Sequence, residues 1–366
     1  MFFIALSMLI RDRGKYLGVV AGITFASLLV IQQAGIFVGL MRRTFSPITD
    51  IALPDIWVMD PAVQYVDDPI SLQDTQLYRV RGVDGVDWAM PLYRDVGQAR
   101  VDGGRFEAVI ITGIDSRTLV GGPPEMVVGN VADLRGNDAV IVDEAGATGV
   151  LTHNVDGKPV PLKVGDNMEI NDRHATVVGI CRVSPVFESQ PVIYTTYARA
   201  VSFVPPERKL LSYILVKSRP GTQSKDVCAA IQRATGLTAL TRRQFQDLTW
   251  NYFFDNTGIP INFGISVTLG FLVGLAVAGK TFYNFTMENL RHFGTLKAMG
   301  ADDKVVFRMI VLQCAFAGAI GYGLGLGLAA VLGLWLRQST LAFVLPWELV
   351  LLSACLLYTS PSPRDA

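Results

Sequence analysis

The chain has 366 residues, of which half are hydrophobic and only 17% are charged, and its mean hydropathy is +0.36. Ordinary soluble domains carry about 25% charged residues, so this composition excludes a wholly soluble chain of ordinary make-up and points to membrane segments joined to a soluble part. Basic and acidic residues number 32 each, so the net charge is zero and no basic field for nucleic acid is present.

Residues 1–15, MFFIALSMLIRDRGK, run from apolar to basic, which suits an interfacial helix leading into a membrane. Tyr16 to Met41 follow without a charge for 26 residues. A span needs about 20, and no small-residue cleavage site follows, so a retained first transmembrane helix is expected over 16–41 rather than a signal peptide.

Residues 42–258 have the texture of a soluble α+β domain. Asp55–Met59 and Val86–Tyr93 are rich in strand formers. Val96–Ile114 reads as a hairpin turning at Asp102-Gly103-Gly104. Val164–Val183 reads as a second hairpin, turning at Asn171-Asp172. From Ser212 the pattern changes from a strand to an amphipathic helix across Pro220-Gly221. No H-E-x-x-H and no G-x-S-x-G occurs. His153, His174 and His292 are scattered, so no metal site is expected. The adjacent acids Asp67-Asp68 and Asp143-Glu144 read as solvated turn residues, and Asn154–Pro159 as a turn rather than a calcium loop. Cys181, Cys228, Cys314 and Cys355 form no C-x-x-C. Cys181 and Cys228 are the two that an oxidising compartment could pair, and lone buried thiols are the plainer expectation.

Ile261–Gly279 is uncharged over 19 residues and places a second span at 259–282. Across its inner end, Gly274–Thr281 spells GLAVAGKT, a complete match to the phosphate-loop pattern G-x-x-x-x-G-K-[ST]. That motif needs a strand before it and a solvated phosphate site. An apolar run surrounds this one, so the expectation is the mouth of a membrane helix with Lys280 snorkelling to the headgroups. A polar loop over 283–304 leads to a third span at 305–336. A fourth begins at 343–354 and is cut short. The tail 355–366 resembles translated adaptor sequence and is set aside as non-native. Arg11, Arg13 and Lys15 before the first span, with Lys280, Arg291, Lys297, Lys304 and Arg308 around the loop, predict that both places are cytoplasmic. Gly270/Gly274, Gly321/Gly325 and Gly323/Gly327 repeat the G-x-x-x-G spacing that lets membrane helices approach closely.

Span, large domain, then further spans is a layout that resembles the MacB/FtsX-type (type VII, mechanotransmission) permeases of ABC transporters. The specific stretch is MENLRHFGTLKAMGADDKVVFRMIVLQCAFAGAIGYGLGLGLA, Met287–Ala329. Ala5–Val30 is similar to the family's elbow and first span, and Val164–Ile180 to a segment of its outer domain. Ile31–Phe45 is similar to the DevC-like branch. Many relatives carry Glu-Arg-x-x-Glu before the glycine, whereas Asn289 and His292 stand at the Arg and second Glu places here.

The resemblance implies an α-helical membrane protein with four transmembrane helices, the fourth truncated, and a large α+β extracytoplasmic domain inserted between helices 1 and 2. It implies a bacterial inner-membrane permease subunit with a cytoplasmic N-terminus and a periplasmic domain, non-catalytic and binding no cofactor itself. ATP would sit on a separate ABC ATPase subunit, contacted by a coupling loop carrying Glu288, Arg291, Gly294, Thr295, Leu296, Lys297, Ala298, Met299, Gly300 and Ala301. Within that loop Gly294 and Gly300 are expected to bracket a short amphipathic turn with Leu296 and Met299 on its apolar edge. A homodimer, a membrane-fusion adaptor, an outer-membrane channel and membrane lipid are the further implied partners. The expected function is transmission of ATP-driven motion for export. The alternatives are an FtsX-like regulator of a cell-envelope hydrolase and, third, an NTPase using Gly274–Thr281.

Overall fold

A computed structural model describes residues 13–101, 105–155, 158–204, 210–336 and 342–358. The chain divides into two compact units, residues 41–256 and residues 1–40 with 257–366.

The first unit is α+β. Its strands are β1 (Ile56–Met59), β2 (Val86–Val101), β3 (Glu107–Ile114), β4 (Glu125–Val128), β5 (Ala139–Asp143), β6 (His153–Val155), β7 (Lys158–Val160), β8 (Asn167–Ile170), β9 (Arg173–Arg182), β10 (Val192–Thr196), β11 (Tyr213–Ser218) and β12 (Thr238–Thr241). Pairing runs β12-β1-β11-β2-β3-β10-β5-β9-β4, and β8 bridges β9 back to β2. The path β2-β3-β10-β5-β9-β8-β2 therefore closes into a six-stranded ring. Within the ring, closure removes the free edges that an open sheet would present, and the path ends at β12 and β4.

Alternation along the strands divides the core. Tyr93, Val109, Ile111, Val140, Val142, Met168, Ile170, Val177 and Ile193, drawn from all six ring strands, form one buried cluster. The intervening Leu92, Ile110, Ile114, Ile141 and Tyr194 join a second cluster with Trp57, Tyr213 and Phe245, as a period of two requires. A third cluster seats two helices, α3 (Asp74–Arg81) and α6 (Ser224–Thr235), on β1 and β11 through Leu77, Val80, Val227, Cys228 and Ile231.

The long strand β2 joins the ring to the β12-β1-β11 flank. The sequence shows two strand-rich runs here, separated by Arg94-Asp95. They form one strand of 16 residues, because Arg94 is buried with its charge answered. Its Nε and Nη2 donate to Asp67 Oδ1 at 3.1 and 2.9 Å, and Nη1 donates to Thr112 Oγ1 at 3.3 Å. Asp67 is thus an ion-pair partner and not a solvated turn acid. Asp143 departs from expectation too. It is buried as the N-cap of α4 (Glu144–Thr148), accepting from the Gly146 and Val192 amides at 3.2 and 3.0 Å. Burial raises its pKa against the pull of those amides. Glu144 beside it pairs with Arg182 at 2.9 Å.

The β8–β9 hairpin turns at Asn171-Asp172, both at positive φ, as a two-residue turn of this kind demands. The β2–β3 hairpin forms as expected, with its turn, 102–104, outside the described residues; so is 156–157 between β6 and β7. Cys181 and Cys228 are free and buried in separate clusters, and burial pushes their pKa values up to about 12 and about 11.

The second unit is helical. Helix α1 (Arg13–Thr44) carries the chain into the α+β unit, where α2 (Ser46–Asp50), α5 (Tyr197–Ser202) and α7 (Arg242–Asn256) are further helices among the described residues. The remaining helices are α8 (Ile259–Glu288), α9 (Leu290–Ala298), α10 (Asp303–Leu336) and α11 (Trp347–Tyr358). Among the described residues three helices are long and apolar enough to cross a membrane, over Tyr16–Thr44, Ile259–Glu288 and Asp303–Trp335. The second runs past its expected end near residue 282, because nothing after Lys280 breaks a helix until Asn289. The last helix starts at Trp347 rather than at 343, since Ala342–Pro346 stay non-helical: Phe343 packs against Gly35, with a Cβ placed there 2.6 Å from its ring, and the Val344 amide donates to Gly35 O at 3.1 Å. It continues to Tyr358, through the first residues set aside as tail. Residues 1–12 of the expected elbow helix and 359–366 of the tail lie outside the described residues.

Candidate functional site

The segment joining the second and third candidate spans is built from two helix ends and one short helix. Helix α8 ends at Glu288, Asn289 caps α9, and α9 runs nine residues to Ala298. Gly300 then adopts φ +97°, where a Cβ is disfavoured. Its amide donates to Lys297 O at 2.9 Å and the Ala301 amide to Leu296 O at 3.0 Å. These two bonds form the Schellman closure that satisfies the last carbonyls of a helix. Lys297, in the last turn of α9, pairs with Asp303 in the first turn of α10. Each charge complements the dipole of its own helix end. Both side chains are exposed, so the pair orients the corner more than it stabilises it.

The expected bracketing by two glycines is corrected. Gly294 lies inside α9, with open space where a side chain would be, and only Gly300 ends an element. Thr295 donates to Arg291 O at 2.7 Å and continues the helix. Met299 and Leu290 are exposed and Leu296 is half-buried, while Arg291, Ala298 and Lys297 face solvent. The result is a nine-residue helix with unburied apolar side chains at both ends, Leu290 and Met299, held by a fixed C-terminal corner.

The phosphate-loop match dissolves in this geometry. Gly274–Thr281 is helical throughout, and Thr281 donates its hydroxyl to Val277 O at 2.8 Å. Helical amides are spent on the carbonyls four residues back, whereas a phosphate cradle needs them free in a loop.

The glycine pairs divide. On α8, Gly274 abuts Ala26, and a Cβ at Gly270 would stand 3.4 Å from Leu29. On α10, a Cβ at Gly321 would meet Ile23 at 2.8 Å, and one at Gly325 would meet Ser27 at 2.6 Å and Thr24 O at 2.8 Å. All four thus rest on α1. Gly323 and Gly327 have nothing within 4 Å and do not join this contact. Sequence reasoning missed Gly35, Gly39 and Gly333. A Cβ at Gly39 would meet Ala342 O at 2.5 Å, and Gly333 abuts the Phe343 ring. The G-x-x-x-G spacing of Gly35 and Gly39 was the available signal. Tyr322, also missed, donates to Val350 O at 2.6 Å and lies 3.0 Å from Ser353 Oγ, pinning α11 to α10.

An α+β domain joined to a set of apolar helices, with one short exposed helix between two of them, is the layout of a membrane subunit with a large folded domain outside its candidate spans. Residues 17–234 match the family model described as the MacB-like periplasmic core domain, and residues 253–359 match the FtsX-like permease C-terminal model. The chain belongs to the MacB/FtsX-type permeases, the transmembrane subunits of ABC transporters. Members of that family are membrane-embedded, carry a periplasmic domain and work with ABC ATPase partners. Among solved structures, the chain is similar to the extracellular domain of the noncanonic ABC-type transporter YknZ from Gram-positive bacteria. That match has 15% identity and a TM-score of 0.36, and covers 51% of this chain and 98% of that one. It is also similar to the periplasmic region of MacB from Actinobacillus actinomycetemcomitans, with 13% identity and a TM-score of 0.38, covering 55% of this chain and 94% of that one. Comparison with curated proteins gives no match.

Proposed function

We propose that this permease transmits ATP-driven motion from a separate ATPase subunit to its own periplasmic α+β unit, for export. The reading makes α9 the coupling helix: Leu290 and Met299 enter a groove on the ATPase, while Glu288 and Arg291 flank it. ATP stays on the partner, and this chain binds no cofactor. Helix α1 and the α7–α8 connection, only Thr257-Gly258 long, carry the motion. The membrane part comprises four spans with α11 as the start of the fourth, the N-terminus lies in the cytoplasm, and two copies meet two ATPases. A membrane-fusion adaptor and outer-membrane channel complete the path.

The observation that carries this reading is the exposed α9 between two candidate spans, ended by a built corner at Gly300. The test is co-reconstitution with its ABC ATPase partner. Met299→Asp is expected to remove ATPase binding while the chain still folds. A disulfide crosslink that fixes the periplasmic unit in one position is expected to stop ATP-driven export. Export that continues under the crosslink rejects mechanotransmission. Capture of a peptidoglycan hydrolase by residues 42–258, with no adaptor bound, replaces export with envelope regulation.

A further inference from the structure

A cavity of about 430 Å³ opens in the α+β unit, lined by Phe45, Arg242, Arg243, Gln246, Asp247 and Trp250. Nothing in the transmission mechanism uses it. Its lining begins one residue past the first candidate span. The candidate span Tyr16–Thr44 has 29 residues, a rise of about 43 Å at about 1.5 Å per residue. A bilayer with its headgroups is about 40–45 Å thick. Phe45, the residue after Thr44, therefore follows directly on a helix long enough to pass through both headgroup layers.

The lining has the chemistry of that layer. Phe45 and Trp250 lie with ring centroids 6.4 Å apart, and aromatic rings of this kind populate membrane interfaces. Arg242 is held by a 3.1 Å bond from Nη1 to Ala52 O, and Gln246 is held by Thr49 at 3.0 Å. Among the described residues, neither Arg242 nor Arg243 has a carboxylate partner, and Asp247 has no cationic one. Two guanidiniums without a counter-ion suit a phosphate, which arginine binds through paired N–H donors. A carboxylate on the same wall suits a ligand that brings its own cation.

We infer that this cavity binds the headgroup of an aminophospholipid from the outer leaflet. Arg242 and Arg243 take the phosphate oxygens, Asp247 takes the headgroup ammonium, and Phe45 and Trp250 cover the glycerol end. The site anchors the base of the α+β unit to the membrane surface.

The test is native mass spectrometry of the full-length chain in detergent, titrated separately with phosphatidylethanolamine, phosphatidylglycerol and inorganic phosphate. Lipids around the spans bind the wild type and the variants alike, so the difference isolates this site. Arg243→Ala, whose exposed side chain makes no described hydrogen bond, is expected to weaken the tightest phosphatidylethanolamine about tenfold, the loss of one charge-assisted contact. Arg242→Lys, which keeps the charge but not the fork, is expected to weaken it as well. Asp247→Asn is expected to abolish the preference for phosphatidylethanolamine over phosphatidylglycerol. Unchanged lipid affinity in Arg243→Ala and Arg242→Lys overturns the site. Inorganic phosphate that displaces the lipid at equal concentration makes it a free-anion site and overturns the lipid assignment.

Discussion

The two units of this permease are packed internally by different means. In the α+β unit, large side chains fill the space: Trp57, Tyr93, Tyr213 and Phe245 are fully buried, and six strands close on their own core. In the helical unit the contacts are made where side chains are missing. Gly274, Gly321 and Gly325 let α8 and α10 reach the backbone of α1, and Gly270 lies against the Leu29 side chain. Of the most apolar stretch of each candidate span, only 33%, 12% and 22% is buried inside the chain. Water drives apolar side chains together, whereas lipid is as apolar as leucine and rewards only close fit. One unit fills its own core, and the other leaves most of the apolar stretch of each candidate span unburied by the chain itself.

The largest expected effect is in the α+β unit. Arg94→Ala removes the cation that answers Asp67 inside the joint between ring and flank, and breaking a buried pair of this kind costs about 3–5 kcal/mol. Chemical denaturation of the full chain in detergent, followed by tryptophan fluorescence, is expected to show the transition of this unit at markedly lower denaturant. A shift no larger than that of an exposed control such as Arg79→Ala means that β2 does not depend on the pair.

Next come the glycines. Gly325→Leu forces a side chain into Ser27 and the Thr24 carbonyl, and overpacking of this kind costs about 1–3 kcal/mol. Gly323→Leu, two residues away, meets open space and is expected to leave the melting temperature of the isolated chain unchanged. If both variants melt alike, α10 does not rest on α1 through this face. If Gly323→Leu disturbs only the reconstituted complex, its face belongs to a partner.

This contrast also explains what was legible in the sequence. Hairpins and the strand-to-helix switch near Pro220-Gly221 were readable because turn chemistry is local. The closing of the ring was not, because β8 bridging β2 and β9 depends on partners far apart in the chain. Asp143 looked like a turn acid because adjacent acids carry no sign of the Val192 amide that buries one of them. The three candidate spans were readable from composition. Which glycines pack was not, since Gly321/Gly325 and Gly323/Gly327 share the same spacing and only the rotation of α10 separates them. At the candidate site, the residue types from Glu288 to Ala301 were readable. The extension of α8 to Glu288 and the Lys297–Asp303 corner were not.

A smaller effect is expected at that corner. Gly300→Ala must hold a Cβ in left-handed backbone, at about 1–2 kcal/mol. The Gly300 and Ala301 amides, which close the helix onto Lys297 and Leu296, are expected to exchange hydrogen about tenfold faster in the variant, the kinetic equivalent of about 1.4 kcal/mol. Unchanged exchange means that the corner is held by the α9–α10 ion pair alone, which Lys297→Met then tests.

The smallest effect is electrostatic, and it sets two acids of the α+β unit against each other. Burial pushes Asp55 up, but hydrogen bonds from Lys217 at 2.8 Å and from Ser218, with the lysine charge, outweigh it and leave its pKa lowered. The folded state then binds fewer protons than the unfolded state in the window between the two pKa values. Asp55 therefore contributes stability that is fully present above the ordinary carboxylate pKa and is lost as pH falls through the lowered one. Asp143 has the opposite sign. Its folded pKa is raised by burial, so the folded state keeps a proton that the unfolded state has released. Stability then declines as pH rises from the ordinary carboxylate pKa to the raised one. Subtracting the pH–stability curve of each Asn variant from the wild type is expected to give a difference that grows with pH for Asp55→Asn and shrinks with pH for Asp143→Asn. Differences of the same slope would mean that the Asp143 carboxylate is stabilised by the Gly146 and Val192 amides more than it is penalised by burial. The buried cap would then be as favourable to charge as the half-exposed ion pair.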